Sequence, residues 1–387
     1  MTIRGAAYVA GIYEHPRREI PDRTIFEIHT EVALGALADA GLTMSDVDAV
    51  FCDSTTGMGA FSLVTHWGLQ PKYFDNTETG GSSYLAHVGH AAAAIAAGKC
   101  SVALVTLAGK PRSGAGVERM SFMPGPETGF ESTWGVSGAP HSYALAAQRH
   151  MHEFGTTAEQ LAEIKVAASI HAQHNPNALL PYAVTVEDVV NSPMVADPLH
   201  RLDCCVVTDG GGALVIVSPE VARSLGRTNA KILGHGEAIK HTNNGRIDLT
   251  YTGAVWSGPR AFAEAGVSVK DIDYASIYDS FTITVLQTIE DLGFCEKGKG
   301  GAFVSDGALV APHGILPFNT DGGGLCNNHP SNRGGMTKVI EAVRQLRGEA
   351  HPAVQVPDCQ VALAHGTGGS LGSRHGSVTV ILGQENA

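Results

Sequence analysis

Ala36-Leu-Ala-Asp-Ala-Gly41-Leu-Thr-Met-Ser-Asp46-Val-Asp48 returns in outline about 225 residues later as Ala261-Phe-Ala-Glu-Ala-Gly266-Val-Ser-Val-Lys-Asp271-Ile-Asp273. Each copy reads as a helix end, a glycine stop, a capping aspartate and then an apolar strand. A second pair follows: Cys100-Ser-Val-Ala-Leu-Val105 is like Cys359-Gln-Val-Ala-Leu-Ala364, each a buried strand reached after a helix, Ala91 to Ala97 and Thr337 to Arg347. Helix, strand, helix, strand therefore occurs twice, at a spacing too long for a solenoid. This predicts an internally duplicated α/β domain whose two copies pack together. The expected halves are 1–235 and 236–387. Between the repeats, Lys110 to about Leu199 is rich in Met, Pro, Gly and His and carries helical text from Thr157, an insertion large enough to cover an active site.

The whole composition agrees with an enzyme: 387 residues, 43% hydrophobic, 17% charged and 47 glycines, far from the profile of disorder. A formal net charge of −12 without any Lys/Arg run leaves no basic field for a phosphate backbone, so nucleic acid is not an expected partner. The longest apolar stretch, around Ala91 to Ala97, is far short of the roughly 20 residues that span a bilayer. The first 16 residues make a poor signal peptide, and a cytoplasmic location is expected. Seven scattered cysteines without CxxC pairs read as reduced thiols, with neither a disulfide framework nor a metal site expected.

Four segments set polar residues beside glycine and next to apolar strands. Asn76-Thr-Glu-Thr-Gly-Gly-Ser-Ser-Tyr84 enters a helix whose N-terminus can hold an anion or activate a nucleophile, or can simply be capped by Ser82 or Ser83. Ile277-Tyr278-Asp279-Ser280-Phe281-Thr282 lies where a second-copy strand, Tyr274 to Ile277, hands over to a helix, at the edge where α/β sheets bind ligands. Asp279 there is a proton-transfer candidate or a helix cap. Pro317-Phe-Asn319-Thr-Asp-Gly-Gly-Gly-Leu-Cys-Asn-Asn328-His329-Pro330 combines an imidazole with amides and glycine N–H groups able to form an oxyanion hole. Ala364-His365-Gly-Thr-Gly-Gly-Ser370 follows the repeated strand Gln360 to Leu363, and its His365 is either a site residue or a turn residue. No GxGxxG after an early strand, GxxxxGK[ST] or HExxH occurs, so nucleotide and zinc-protease readings lack their signatures.

With Phe154-Gly-Thr-Thr, His171-Ala-Gln-His-Asn-Pro176, Asp197-Pro-Leu-His-Arg-Leu-Asp203-Cys-Cys, Thr208-Asp-Gly-Gly and Gly293-Phe-Cys-Glu-Lys-Gly298, these segments resemble the thiolase superfamily over nearly the whole chain. The nearest likeness is to sterol-carrier-type thiolases and thiolase-like lipid-transfer proteins. The resemblance implies two packed βαβαβαββ halves in five layers, αβαβα, with a loop domain inserted in the first half. It gives His329 the place of the family's Gly-His-Pro histidine, lining a thioester-oxygen hole with Asn319, and implies contacts of the CoA ester with Gly323, Gly324, Gly368 and Gly369. His365 stands where those thiolases have Gln-His-Asn, and Tyr278-Asp279-Ser280-Phe281 matches their His-Asp-Cys-Phe.

Here the sequence departs from the family. The nucleophile position falls at Gly81 or Ser82, no cysteine lies between Cys52 and Cys100, and the second catalytic cysteine is Ser280. A serine lacks the low-pKa thiolate on which that acyl transfer depends. The Tyr-Asp-x-Phe variant resembles lipid-transfer aldolases instead, which implies retro-aldol cleavage of a β-hydroxyacyl-CoA. Tyr278 would act as base and His329, Asn319 and glycine N–H groups would hold the enolate oxygen. Two alternatives stand beside it: a Claisen thiolase with Ser82 or Cys326 as nucleophile, and a non-catalytic acyl-CoA-binding subunit. Coenzyme A enters as part of the substrate, with no covalently bound cofactor. The superfamily implies a homodimer with the strand Ser101 to Leu107 near its two-fold axis, and a small OB-fold, zinc-ribbon protein as a further partner.

Overall fold

The computed structural model describes residues 2–54, 56–114, 128–136, 138–330 and 334–385; part of the expected insertion, 115–127, thus lies outside the described residues. The sequence repeat is a structural repeat down to its hydrogen bonds. Gly41 and Gly266 end the helices Ile25–Ala40 and Ala254–Ala265 with φ of 72° and 67°, the left-handed geometry that only glycine adopts without strain. Asp46 then accepts from the Thr43 N–H and Asp271 from the Ser268 N–H, both at 2.8 Å. Asp48 and Asp273 close each unit by accepting from the first amides of the neighbouring strand, Ser101 and Val102 in one half, Gln360 and Val361 in the other.

Eleven strands follow in chain order: β1 (Tyr8–Glu14), β2 (Ala49–Phe51), β3 (Tyr73–Asp75), β4 (Val102–Gly109), β5 (Met194–Ala196), β6 (Leu199–His200), β7 (Gly210–Val217), β8 (Ala230–Lys240), β9 (Tyr274–Ile277), β10 (Val361–Gly369) and β11 (His375–Gly383). β5 and β6 form a hairpin in the insertion. The first half orders its strands β3-β2-β4-β7-β1 and the second β8-β11-β10-β9, with the stretch Pro317–Asn319 running parallel beside β9 through Ala275. The two sets touch at β1 and β8, through Tyr8 with Lys231 and Val9 with Ala230.

Three apolar cores explain the layering. The helix Ile25–Ala40 buries Val32, Ala36 and Leu37 on the outer face of the first sheet, against Val50, Leu104 and Val215. The helices Ser83–Ala96 and Gly335–Arg347 lie between the sheets, with Leu85, Val88, Val339 and Val343 meeting Val105, Ile216, Ala364 and Val380. The helices Ala254–Ala265 and Thr282–Asp291 cover the outer face of the second sheet with Ala261, Phe262, Leu286 and Ile289. The result is the five-layered αβαβα arrangement.

One expectation needs correcting. β10 does not stop at Leu363 but continues through Gly369, because Ala364 to Gly369 of the expected glycine segment pair in register with β11, Gly366 with Val378 and Gly368 with Gly376. The glycines are there for close approach: a Cβ on Gly368 would sit 1.7 Å from the Thr79 carbonyl oxygen. Within the chain β4 is an internal strand, hydrogen-bonded to β2 and β7, and the edge strand of the first half is β3.

Candidate active site

β9 ends at Ile277, and the next residue, Tyr278, is delivered by one main-chain hydrogen bond and by a side-chain amide that brackets Ile277. Its N–H donates to the His365 carbonyl at 2.9 Å. Asn319 brackets Ile277 with its amide, accepting from the Ile277 N–H and donating to its carbonyl, both at 2.8 Å. The Asn319 amide thus places Tyr278 through the residue before it, with its oxygen and one N–H.

The Tyr278 hydroxyl shares a 2.8 Å hydrogen bond with His329 Nε2, the rings edge to face with centroids 5.5 Å apart. The main chain at Gly334, N-terminal to the helix Gly335–Arg347, lies against both rings and favours the ionised phenol. Burial pushes the phenol well above its usual 10, reinforced by Cys205, Tyr143 and Asp279 nearby. Burial also pushes His329 down to about 4, against the opposing pull of Asp279. At neutral pH the pair is a phenol donating to a neutral imidazole.

The first half contributes Gly81. A Cβ on it would lie 2.5 Å from the Tyr278 ring and 2.4 Å from the Thr367 carbonyl oxygen, so position 81 faces the phenol and the ring fills the space a side chain would need. Ser82 points elsewhere: its hydroxyl donates to Thr79 at 2.9 Å and lies against Gly376. Of the other expected nucleophile, Cys326, the thiol is buried, pushed up by that burial, and held 3.2 Å from Lys165 Nζ on the insertion helix Ala158–Ala172.

Asp279 is neither a proton acceptor nor the cap of its own helix. Its carboxylate accepts from the N–H groups of Gly324 (2.8 Å) and Leu325 (3.1 Å) and pairs with buried Lys338 at 3.1 Å, anchoring the segment that leads to His329. The Gly323 N–H donates to Asp321. These two glycine N–H groups are therefore occupied within the protein. Gly368 presses on the Thr79–Gly80 main chain, and the Gly369 carbonyl accepts from the Tyr143 hydroxyl at 3.2 Å. His365 faces away: on the outer face of the second sheet it bonds Thr379 and Ser377 across the β10–β11 pair, and burial pushes it down to about 3. Ser280 lies beside Tyr278 in sequence and bonds Thr284 at 3.0 Å.

Two further groups surround the pair. Tyr143, on the insertion helix Ala139–Phe154, packs its ring 4.4 Å from Phe281, and burial pushes its phenol up to about 12. The Cys205 thiol, also pushed up by burial, interacts electrostatically with Tyr143 and Tyr278. No motif surrounds Tyr143, and the doubled cysteine at 204–205 was the one sequence signal for Cys205.

A family model for the thiolase C-terminal domain-like family matches residues 236–384. The chain is 34% identical to an acetyl-CoA acetyltransferase of Methanothermobacter thermautotrophicus, covering 94% of this chain and 97% of the relative. It is also 34% identical to a steroid side-chain-cleaving aldolase of Thermomonospora curvata, covering 89% and 91%. Among solved structures, the Ltp2-ChsH2(DUF35) aldolase superposes with a TM-score of 0.87 at 32% identity over 98% of both chains.

Proposed function

The chain belongs to the thiolase superfamily, in the branch of sterol-carrier-type thiolases and side-chain-cleaving aldolases, and from that premise we propose that it cleaves a β-hydroxyacyl-CoA by a retro-aldol reaction. The observation that carries this reading is the Tyr278 ring standing over Gly81 with its hydroxyl on His329. A phenol–imidazole pair occupies the space in which a thiolase nucleophile would work.

In this reaction the β-hydroxyl of the substrate donates to the Tyr278 oxygen as the phenol passes its own proton to His329 Nε2. The carbon–carbon bond between the α and β carbons breaks as the β-oxygen forms a carbonyl. The electron pair moves into the enolate of the thioester, whose α carbon takes up the proton that His329 returns through Tyr278, leaving a ketone or aldehyde and a shortened acyl-CoA and restoring the phenol–imidazole pair. The neutral imidazole is ready to accept because burial holds it uncharged, and the Asp279 charge favours the imidazolium that forms. The helix N-terminus at Gly334 stabilises negative charge on the phenol oxygen.

The aldolase relatives support a steroid side chain or similar bulky acyl group as the substrate. The acetyltransferase relative favours Claisen chemistry as the second reading, which needs a nucleophile that neither Ser82 nor Cys326 is oriented to supply. In the proposed architecture residues 1–235 and 236–387 form the two halves, and the insertion from about 110 to 199 closes the site through Tyr143. The proposed assembly is a homodimer working with a partner protein; the partner is supported by the name of the superposed aldolase, which joins Ltp2 to ChsH2(DUF35).

The test is product analysis with a β-hydroxyacyl-CoA and a β-ketoacyl-CoA, each with and without free CoA. Cleavage of the hydroxy ester without CoA supports the aldolase; CoA-dependent cleavage of the keto ester is thiolysis; binding of either without turnover marks a non-catalytic subunit.

A further inference from the structure

His329 belongs to the second half of the chain, yet its main chain is held from the first. Thr208, just before β7, accepts the His329 N–H on its hydroxyl oxygen at 2.9 Å and donates that hydroxyl to Asn328 Oδ1 at 2.6 Å. The Asn328 amide nitrogen donates to Glu14 Oε1, at the end of β1, at 3.0 Å. Arg18 completes the frame: its guanidinium pairs with Glu14 at 2.8 Å and donates to Asn327 Oδ1 at 2.7 Å. Thr208, Asn328, Glu14 and Arg18 are all buried. Buried polar groups with every partner filled define one geometry, because any displacement leaves a donor or acceptor unsatisfied.

We infer that Thr208 is the positioning residue for His329, its hydroxyl fixing the imidazole opposite Tyr278 through a clamp that runs by way of Asn328 to Glu14 and Arg18. The inference deepens the aldolase reading and rests on it for its kinetic arm. A hydroxyl that joins two consecutive residues, accepting from one main-chain amide and donating to the preceding side chain, sets both the height and the rotation of the His329 backbone. The 2.8 Å contact between Nε2 and the phenol depends on both. Displacements well under an ångström at a proton-transfer pair are enough to lower rate without changing substrate affinity.

The experiment compares Thr208→Val, which keeps the shape and removes the hydroxyl, with Thr208→Ser, which keeps the hydroxyl and removes the methyl. The clamp predicts a kcat for Thr208→Val roughly ten- to a hundredfold below wild type with KM within about threefold, and Thr208→Ser within about threefold of wild type in both. A second arm needs no substrate: nitrogen-15 histidine NMR of the free protein reads the His329 Nε2 shift, expected to move in Thr208→Val and to return in Thr208→Ser. If Thr208→Val does not fold, Thr208→Ala, which leaves room for a water, takes its place in both arms. An unmoved Nε2 resonance in the hydroxyl-free variant overturns the clamp, as does a serine variant as impaired as the valine one. A wild-type protein that turns over no β-hydroxyacyl-CoA overturns the aldolase reading alone, since the NMR arm still reads the clamp.

Discussion

A side chain at position 81 and the phenol of Tyr278 compete for one volume, and this competition separates the present chemistry from that of a thiolase. Gly81→Ala forces a methyl to within 2.5 Å of the Tyr278 ring. It is expected to lower turnover more than tenfold and stability by about 1–3 kcal/mol, as overpacking does; wild-type kinetics in that variant would remove the steric argument. Tyr278→Phe keeps the ring and loses the hydroxyl, and should lower kcat at least tenfold with folding intact, within the roughly 10²–10⁴ of general acid–base groups. His329→Ala should do the same with little change in KM. Tyr278 and His329 were legible in the sequence because each ends a recognisable segment, a strand edge and a glycine-rich turn. The contacts that Asn319, Gly323 and Gly324 make were not, because their partners, Ile277, Asp321 and Asp279, are brought near only by the folded chain.

At the scale of elements, the short helix Gly323–Cys326 is held by one buried pair, Asp279 with Lys338, which also joins it to the helix Gly335–Arg347. Removing one member leaves the other charge buried and alone, so Lys338→Met should cost about 3–5 kcal/mol in urea unfolding. A loss under about 1 kcal/mol, the range of a surface pair, would contradict this account. Lys338 was hidden because it shares its helix face with Glu341 and Gln345, a polar stripe that reads as the solvent edge although all three are buried. The extension of β10 was hidden for a related reason: Gly366, Gly368 and Gly369 look like a loop until the Thr79–Gly81 main chain is found pressed against them.

For the whole molecule, burial holds His87, His171 and His329 down at about 4 and His365 and His375 at about 3. These groups stay neutral in the fold while the unfolded chain takes up protons below about pH 6.5. Their contribution is fully present above that pH and is lost as pH falls toward 3, by up to ~1.4 kcal/mol per unit for each. Glu341, raised by burial to about 7, works against them between about pH 7 and 4.5, as one group against five. His90, raised to about 10 by Asp75 and Glu237, is charged in both states below pH 6.5 and adds no slope there. The melting temperature should therefore fall steadily from pH 6.5 to 4.5; a flat profile over that window would contradict neutral buried histidines. The duplication and its layers were readable from the repeated text, because each copy keeps its glycine stop and its capping aspartates. Light scattering at micromolar concentration tests the assembly: a stable monomer of 40.3 kDa would rule out the homodimer.

The central claim, carbon–carbon cleavage without an acyl-enzyme, is tested most directly by intact-protein mass spectrometry of the chain acid-quenched during steady turnover of a β-hydroxyacyl-CoA. The account predicts the unmodified mass of the chain while ketone or aldehyde and shortened acyl-CoA accumulate in equal amounts. An acyl mass on Ser82, Cys326 or any other residue of the chain, appearing and decaying with turnover, would contradict it.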